Sequence, residues 1–91
     1  RTQPDKYDFS EPVLNRLGYE LLGNRKVKEA IEIFKLNVEM FPQSLKVYDS
    51  LGEAYMVNGD RERAIKNYEK SLELNPQNTN AADMLKKLRE K

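Results

Sequence analysis

Apolar residues return along this chain every three or four positions. Val13, Leu14, Leu17 and Leu21 form one run, and Val27, Ala30, Ile31, Phe34, Val38 and Phe41 form the next. At 3.6 residues per turn this spacing gathers each run on one face of a helix, so both read as amphipathic helices. The pattern recurs as Val47, Tyr48, Leu51 and Tyr55, then as Ala64, Ile65, Tyr68 and Leu72, and a last run carries Ala81, Met84, Leu85 and Leu88. Five helices are expected, over about 11–23, 27–40, 45–58, 61–74 and 79–90, and no segment alternates as a strand does. Arg1 to Ser10 is polar apart from Pro4, Tyr7 and Phe9, follows neither period, and reads as a lead-in or linker.

Breakers fall between the runs: Gly23 and Asn24, Phe41-Pro42, Asn58-Gly59-Asp60, and Asn75-Pro76. Gly and Asn accept left-handed cap geometry, and proline cannot continue a helix. The connections are short, which makes consecutive helices pack antiparallel. The unit is a helical hairpin used twice.

Sliding the chain on itself pairs Leu17 with Leu51, Gly18 with Gly52, Ala30 with Ala64, Ile31 with Ile65, Pro42 with Pro76 and Gln43 with Gln77, always at an offset of 34. Leu14 with Tyr48, Leu21 with Tyr55 and Phe34 with Tyr68 are conservative matches in the same register. Glycine facing alanine lets two helices approach closely, while Leu and aromatic residues fill the flanking holes. These residues therefore read as core and punctuation. The second copy, Tyr48-x2-Leu51-Gly52-x2-Tyr55, Ala64-x3-Tyr68 and Pro76, resembles the tetratricopeptide repeat. The first copy keeps that frame but carries Glu20 and Asn37 where alanine is usual, and Arg25 where Gly59 makes the turn. The resemblance covers about residues 11 to 91. It implies an all-α, right-handed α-α superhelix with a lead-in at 1–10, repeats at 11–44 and 45–78, and a solvating C-terminal cap at 79–91. Leu85 and Leu88 of that cap are expected to face inward, and Lys86, Lys87, Arg89, Glu90 and Lys91 to face water.

Composition narrows the chemistry. The chain has 91 residues with 16 Lys+Arg, 15 Asp+Glu, and no His, Cys or Trp. It therefore offers no imidazole base, no thiolate, no disulfide framework and no soft-ligand zinc site, and Ser10, Ser44, Ser50 and Ser71 have no histidine to activate them. No catalytic residue, cofactor or metal is expected. A net charge of +1 lacks the basic footprint of nucleic-acid binding, and Lys86, Lys87, Arg89 and Lys91 read as a solubility device offset by Asp83 and Glu90. No apolar run reaches the roughly 18 residues of a membrane span, and no signal peptide is evident. A soluble chain, cytoplasmic rather than exported, is expected. The start at Arg1 fits a segment excised from something larger, and the flow of LGYELL and YDSLGEAYM is similar to tails that follow bacterial serine-hydrolase domains of the beta-lactamase-like or esterase kind.

The family resemblance implies a protein-interaction module whose first helices line a concave groove for a peptide or helix. The groove would present Asn15, Tyr19 and Leu22 from the first copy, Lys46, Asp49, Glu53 and Met56 from the second, and Asp83 with Lys87 from the cap. The family's clamp for a C-terminal carboxylate takes Lys and Asn on the first of these helices; Asn15 and Tyr19 stand there, which disfavours chaperone-tail binding. Asp49 and Glu53 are like charges one turn apart, costing about 0.2 to 0.5 kcal/mol in an isolated helix. They point to a cationic partner unless Lys46 neutralises them.

The alternative is an intramolecular structural or dimerisation appendage of a larger bacterial enzyme. Roughly three or more repeats are normally needed for a stable array, and two plus a cap leave the N-terminal side to be covered by Tyr7 and Phe9, an upstream domain, or a weak homodimer. Ile33, Leu36 and Met40 form a stripe roughly 140 degrees from the core stripe of their helix. Met40 is expected to join the core because its counterpart Leu74 is also apolar, which leaves Ile33 and Leu36 as a docking patch or as isolated surface aliphatics.

Overall fold

The computed structural model describes residues 10–90; the lead-in with Tyr7 and Phe9, and Lys91 at the other end, lie outside them. The chain is an all-α solenoid of five helices: α1 Glu11–Gly23, α2 Val27–Met40, α3 Leu45–Val57, α4 Arg61–Leu74 and α5 Thr79–Arg89. Each falls within a residue of its expected bounds. Every helix packs on the next in sequence, and α1 also touches α3.

The two hairpin turns show how local chemistry sets these ends. In the first, Lys26 N–H donates to the Leu21 carbonyl at 2.8 Å and Arg25 N–H to that of Leu22 at 3.0 Å; in the second, Asp60 reaches Tyr55 at 2.9 Å and Gly59 reaches Met56 at 3.0 Å. Both are Schellman closures, which need one residue in left-handed geometry. Gly59 supplies it at φ +82 without strain, and Arg25 is forced to it at φ +64. The helices after the turns start on side-chain caps in the second half only: Asp60 accepts from Arg63 N–H, and Asn78 from Ala81 N–H, each at 3.3 Å.

Two cores result. Ala30, Ile31, Phe34, Leu51 and Ala54 form the first, and Ala64, Tyr68, Ala81 and Leu85 the second, with Tyr55 packed against both. The glycines are needed for close approach, since a Cβ at Gly18 would overlap the Phe34 ring and one at Gly52 would stand 3.0 Å from Tyr68 Cε2. Two expected core positions are exposed. Leu17 is 39% exposed although its counterpart Leu51 is 5% exposed, because α1 has no preceding hairpin among the described residues to cover it. Met40 is 46% exposed and does not join the core. The cap behaves as expected: Leu85 is buried and Leu88 packs against the second core, while Lys86, Lys87 and Arg89 are exposed, Arg89 pairing with Glu69.

Candidate peptide-binding face

One face collects side chains from three elements. The Tyr19 hydroxyl of α1 donates to Glu53 Oε1 of α3 at 2.8 Å, and the Ser50 hydroxyl of α3 donates to Asn15 Oδ1 of α1. Asn78, which caps α5, donates from Nδ2 both to Asp49 Oδ2 at 3.0 Å and to Ser71 Oγ at 2.7 Å. Helical periodicity explains the gathering, because Asn15 and Tyr19, like Asp49 and Glu53, are four apart and share a face. The offset of 34 then sets the two pairs side by side.

Beneath them lie the aromatic residues of the second helix of each hairpin. Tyr19 meets Phe34 edge-on, with centroids 5.2 Å apart and planes at 66°. The Tyr68 ring crosses α3 at Gly52, one residue before Glu53. Burial, then the charges of Glu53, Asp49 and Tyr19, raises the Tyr68 phenol above its ordinary value. The Tyr19 phenol is pushed up to about 12, chiefly by burial, with Glu53 and Asp49 adding to it and a Ser50 hydrogen bond opposing it. Both phenols are therefore neutral donors or acceptors at neutral pH.

The structure thus brings together Asn15, Tyr19, Asp49 and Glu53. Leu22 and Met56 turn inward and pack against the first and second cores respectively. Lys46, Asp83 and Lys87 are exposed and make no ion pair within 4.0 Å among the described residues, so Lys46 does not pair with either Asp49 or Glu53. Three residues of the face were missed by sequence reasoning: Ser50, Tyr68 and Asn78. Tyr68 carries a usable signal, being a phenol at the place where the first copy has phenylalanine.

A second surface lies on the first hairpin, where Leu17, Leu36 and Met40 are exposed and Ile33 is half-buried. A hollow of about 410 Å³ adjoins it at Met40, lined also by Glu11, Phe41, Pro42, Gln43 and Ser44. Among the described residues no group of three or more acidic side chains is placed to hold a metal ion, and no helix is long and apolar enough to cross a membrane.

The tetratricopeptide repeat family model matches residues 45–78, the second hairpin with its flanking turns. No curated protein matches the chain. Among solved structures the chain is similar to the first TPR of Spaghetti (RPAP3) bound to the HSP90 peptide SRMEEVD, with 20% identity and a TM-score of 0.53 over 96% of this chain and 97% of that one. At that identity the likeness is one of fold.

Proposed function

We propose that this chain, which carries a tetratricopeptide repeat at residues 45–78 and the fold of that repeat throughout, is a protein-interaction module that holds a peptide or partner helix in a groove along α1, α3 and α5. The observation that carries this reading is the face itself, where Asn15, Tyr19, Asp49 and Glu53 from two consecutive repeats stand together along α1 and α3. The family resemblance and the peptide-bound structural neighbour support it. With no His or Cys in the chain, binding rather than catalysis is the work these residues are suited to. Titrating a labelled peptide library into the isotopically labelled chain tests the reading: saturable shifts at Tyr19, Asp49 and Glu53 are expected, and shifts confined to other surfaces would refute it.

A second reading rests on the exposed aliphatics of the first hairpin. Leu17, Leu36 and Met40 each leave more than a third of their surface in water, the pattern of a face that an upstream domain or a second copy covers. On that reading the chain is a structural or dimerisation appendage of a larger protein and binds no free peptide.

A further inference from the structure

We propose that the second-repeat half of the groove is a receptor for a cationic side chain, the lysine or arginine of an extended peptide, held by Glu53, the Tyr68 hydroxyl and the charge of Asp49 beside the Tyr19 ring. This rests on the groove reading and names what occupies it.

The first observation is uncompensated charge. Asp49 and Glu53, one helical turn apart, have no Lys or Arg within 4.0 Å among the described residues. Their partners are neutral donors instead, Asn78 for Asp49 and Tyr19 for Glu53. Asp49 is half-buried, and its Oδ1 is buried with no hydrogen-bond partner among the described residues. Two carboxylates held one turn apart with only neutral donors leave a negative potential that a cation relieves.

The second observation is independent of those charges. Tyr68 is 2% exposed, and its hydroxyl has no hydrogen-bond partner among the described residues. The ring is buried but the oxygen reaches solvent, so the polar end of an otherwise enclosed side chain stays open to a ligand. Its ring crosses α3 at Gly52, between Asp49 and Glu53, and the charges of Asp49, Glu53 and Tyr19 all bear on it. The hydroxyl is therefore aimed at the same place as the carboxylates. Phe34 occupies the matching position in the first repeat, so the polar end exists only where the acids do.

The acceptors match the donors of a cation. Glu53 keeps Oε2 free after Tyr19 binds Oε1, the Tyr68 oxygen has both lone pairs, and the Tyr19 oxygen still accepts after donating its proton. An ammonium brings three donors and a guanidinium five, and a neighbouring tyrosine face adds cation–π attraction.

The test uses three fluorescein-labelled heptapeptides read by anisotropy and by amide shifts: one with a central arginine in a Ser/Ala background, the same with norleucine in its place, and the same with glutamate in its place. The arginine peptide is expected to bind at least about tenfold tighter than the other two, as a charge-assisted hydrogen bond implies. Asp49→Asn with Glu53→Gln should abolish that preference. Tyr68→Phe, which copies Phe34 and keeps the ring, should weaken it about three- to tenfold with circular dichroism unchanged. Equal or tighter binding of the glutamate or the norleucine peptide at the same residues would overturn the cation receptor and leave the groove standing. No shift at these residues with any of the three would sink both.

Discussion

The two hairpins share one frame and differ in what surrounds them. Leu17 and Leu51 occupy the same place in the repeat, yet one is 39% exposed and the other 5%, because α3 lies on a preceding hairpin and α1 does not. Arg25 and Gly59 make the same turn with the same two hydrogen bonds, one against the preference of its side chain and one with it. At the end of the second helix the copies exchange residues. The first places Asn37 on the helix and Ser44 at the next cap, and both bond to Glu11; the second places Ser71 on the helix and Asn78 at the cap, and these bond directly to each other. The exchange leaves Asn37 Oδ1 buried without a partner, a cost of about 1 to 3 kcal/mol that the second copy avoids at this position. A repeat frame therefore fixes the fold of each hairpin, while position in the stack decides how well its residues are used.

Substitutions at matched positions test this contrast. The largest difference is expected at the leucines: Leu51→Ala should cost about 2 to 5 kcal/mol by urea unfolding, and Leu17→Ala clearly less, at about 1 kcal/mol. Equal losses would mean that the open side of α1 is covered in solution. At the glycines, Gly18→Ala should destabilise by about 1 to 3 kcal/mol and Gly52→Ala by less, since the added Cβ overlaps Phe34 but only crowds Tyr68. A larger loss at Gly52 would reverse the order of tightness. In the turns, Arg25→Gly should raise stability by about 0.5 to 1 kcal/mol, and Gly59→Ala should lower it by about 1, as the left-handed geometry requires. Smallest in unfolding energy, within about 0.5 kcal/mol, is Ile33→Asn with Leu36→Lys, which copies Asn67 and Lys70 of the second hairpin. If the open face is a dimerisation surface, sedimentation will show weaker self-association in this variant with helicity unchanged; identical assembly would make both residues ordinary surface aliphatics.

Alkaline titration sharpens the comparison at the shared face. The Tyr19 phenol is pushed up to about 12, chiefly by burial, against about 10 in an unfolded chain. The fold thus favours the protonated phenol, a contribution fully present below pH 10 and lost as pH rises toward 12. Tyr19→Phe should flatten that part of the stability profile, measured by urea midpoints at each pH.

Helix positions were legible because two independent signals agreed, the 3.6-residue period and the offset of 34. The strained turn at Arg25 was legible too, by comparison with Gly59. What the period cannot carry is whether a neighbour exists. It put Leu17 on the packing face correctly, but only the stack shows that this face is open. Met40 was also misplaced, being exposed where its counterpart Leu74 is half-buried. Of the anticipated groove, Asn15, Tyr19, Asp49 and Glu53 came together because they lie four apart on adjacent copies. Leu22 and Met56 did not, because apolar side chains at the edge of a helix face roll into the nearest core. Asn78 and Tyr68 escaped notice as a cap residue and a core aromatic whose polar ends reach the groove across tertiary contacts.

The bridges from Tyr19 to Glu53, Ser50 to Asn15 and Asn78 to Asp49 span the seams between consecutive units. They act as guy-lines across seams that the cores, one shared by α2 and α3 and the other by α4 and α5, already pack. A ligand that takes Glu53 from Tyr19 removes one such line, and a change in the lean of α1 on α3 is the expected outcome. Labels on α1 and α5 would read it as a change in end-to-end distance, and a chain tethered at both ends would transmit it as tension.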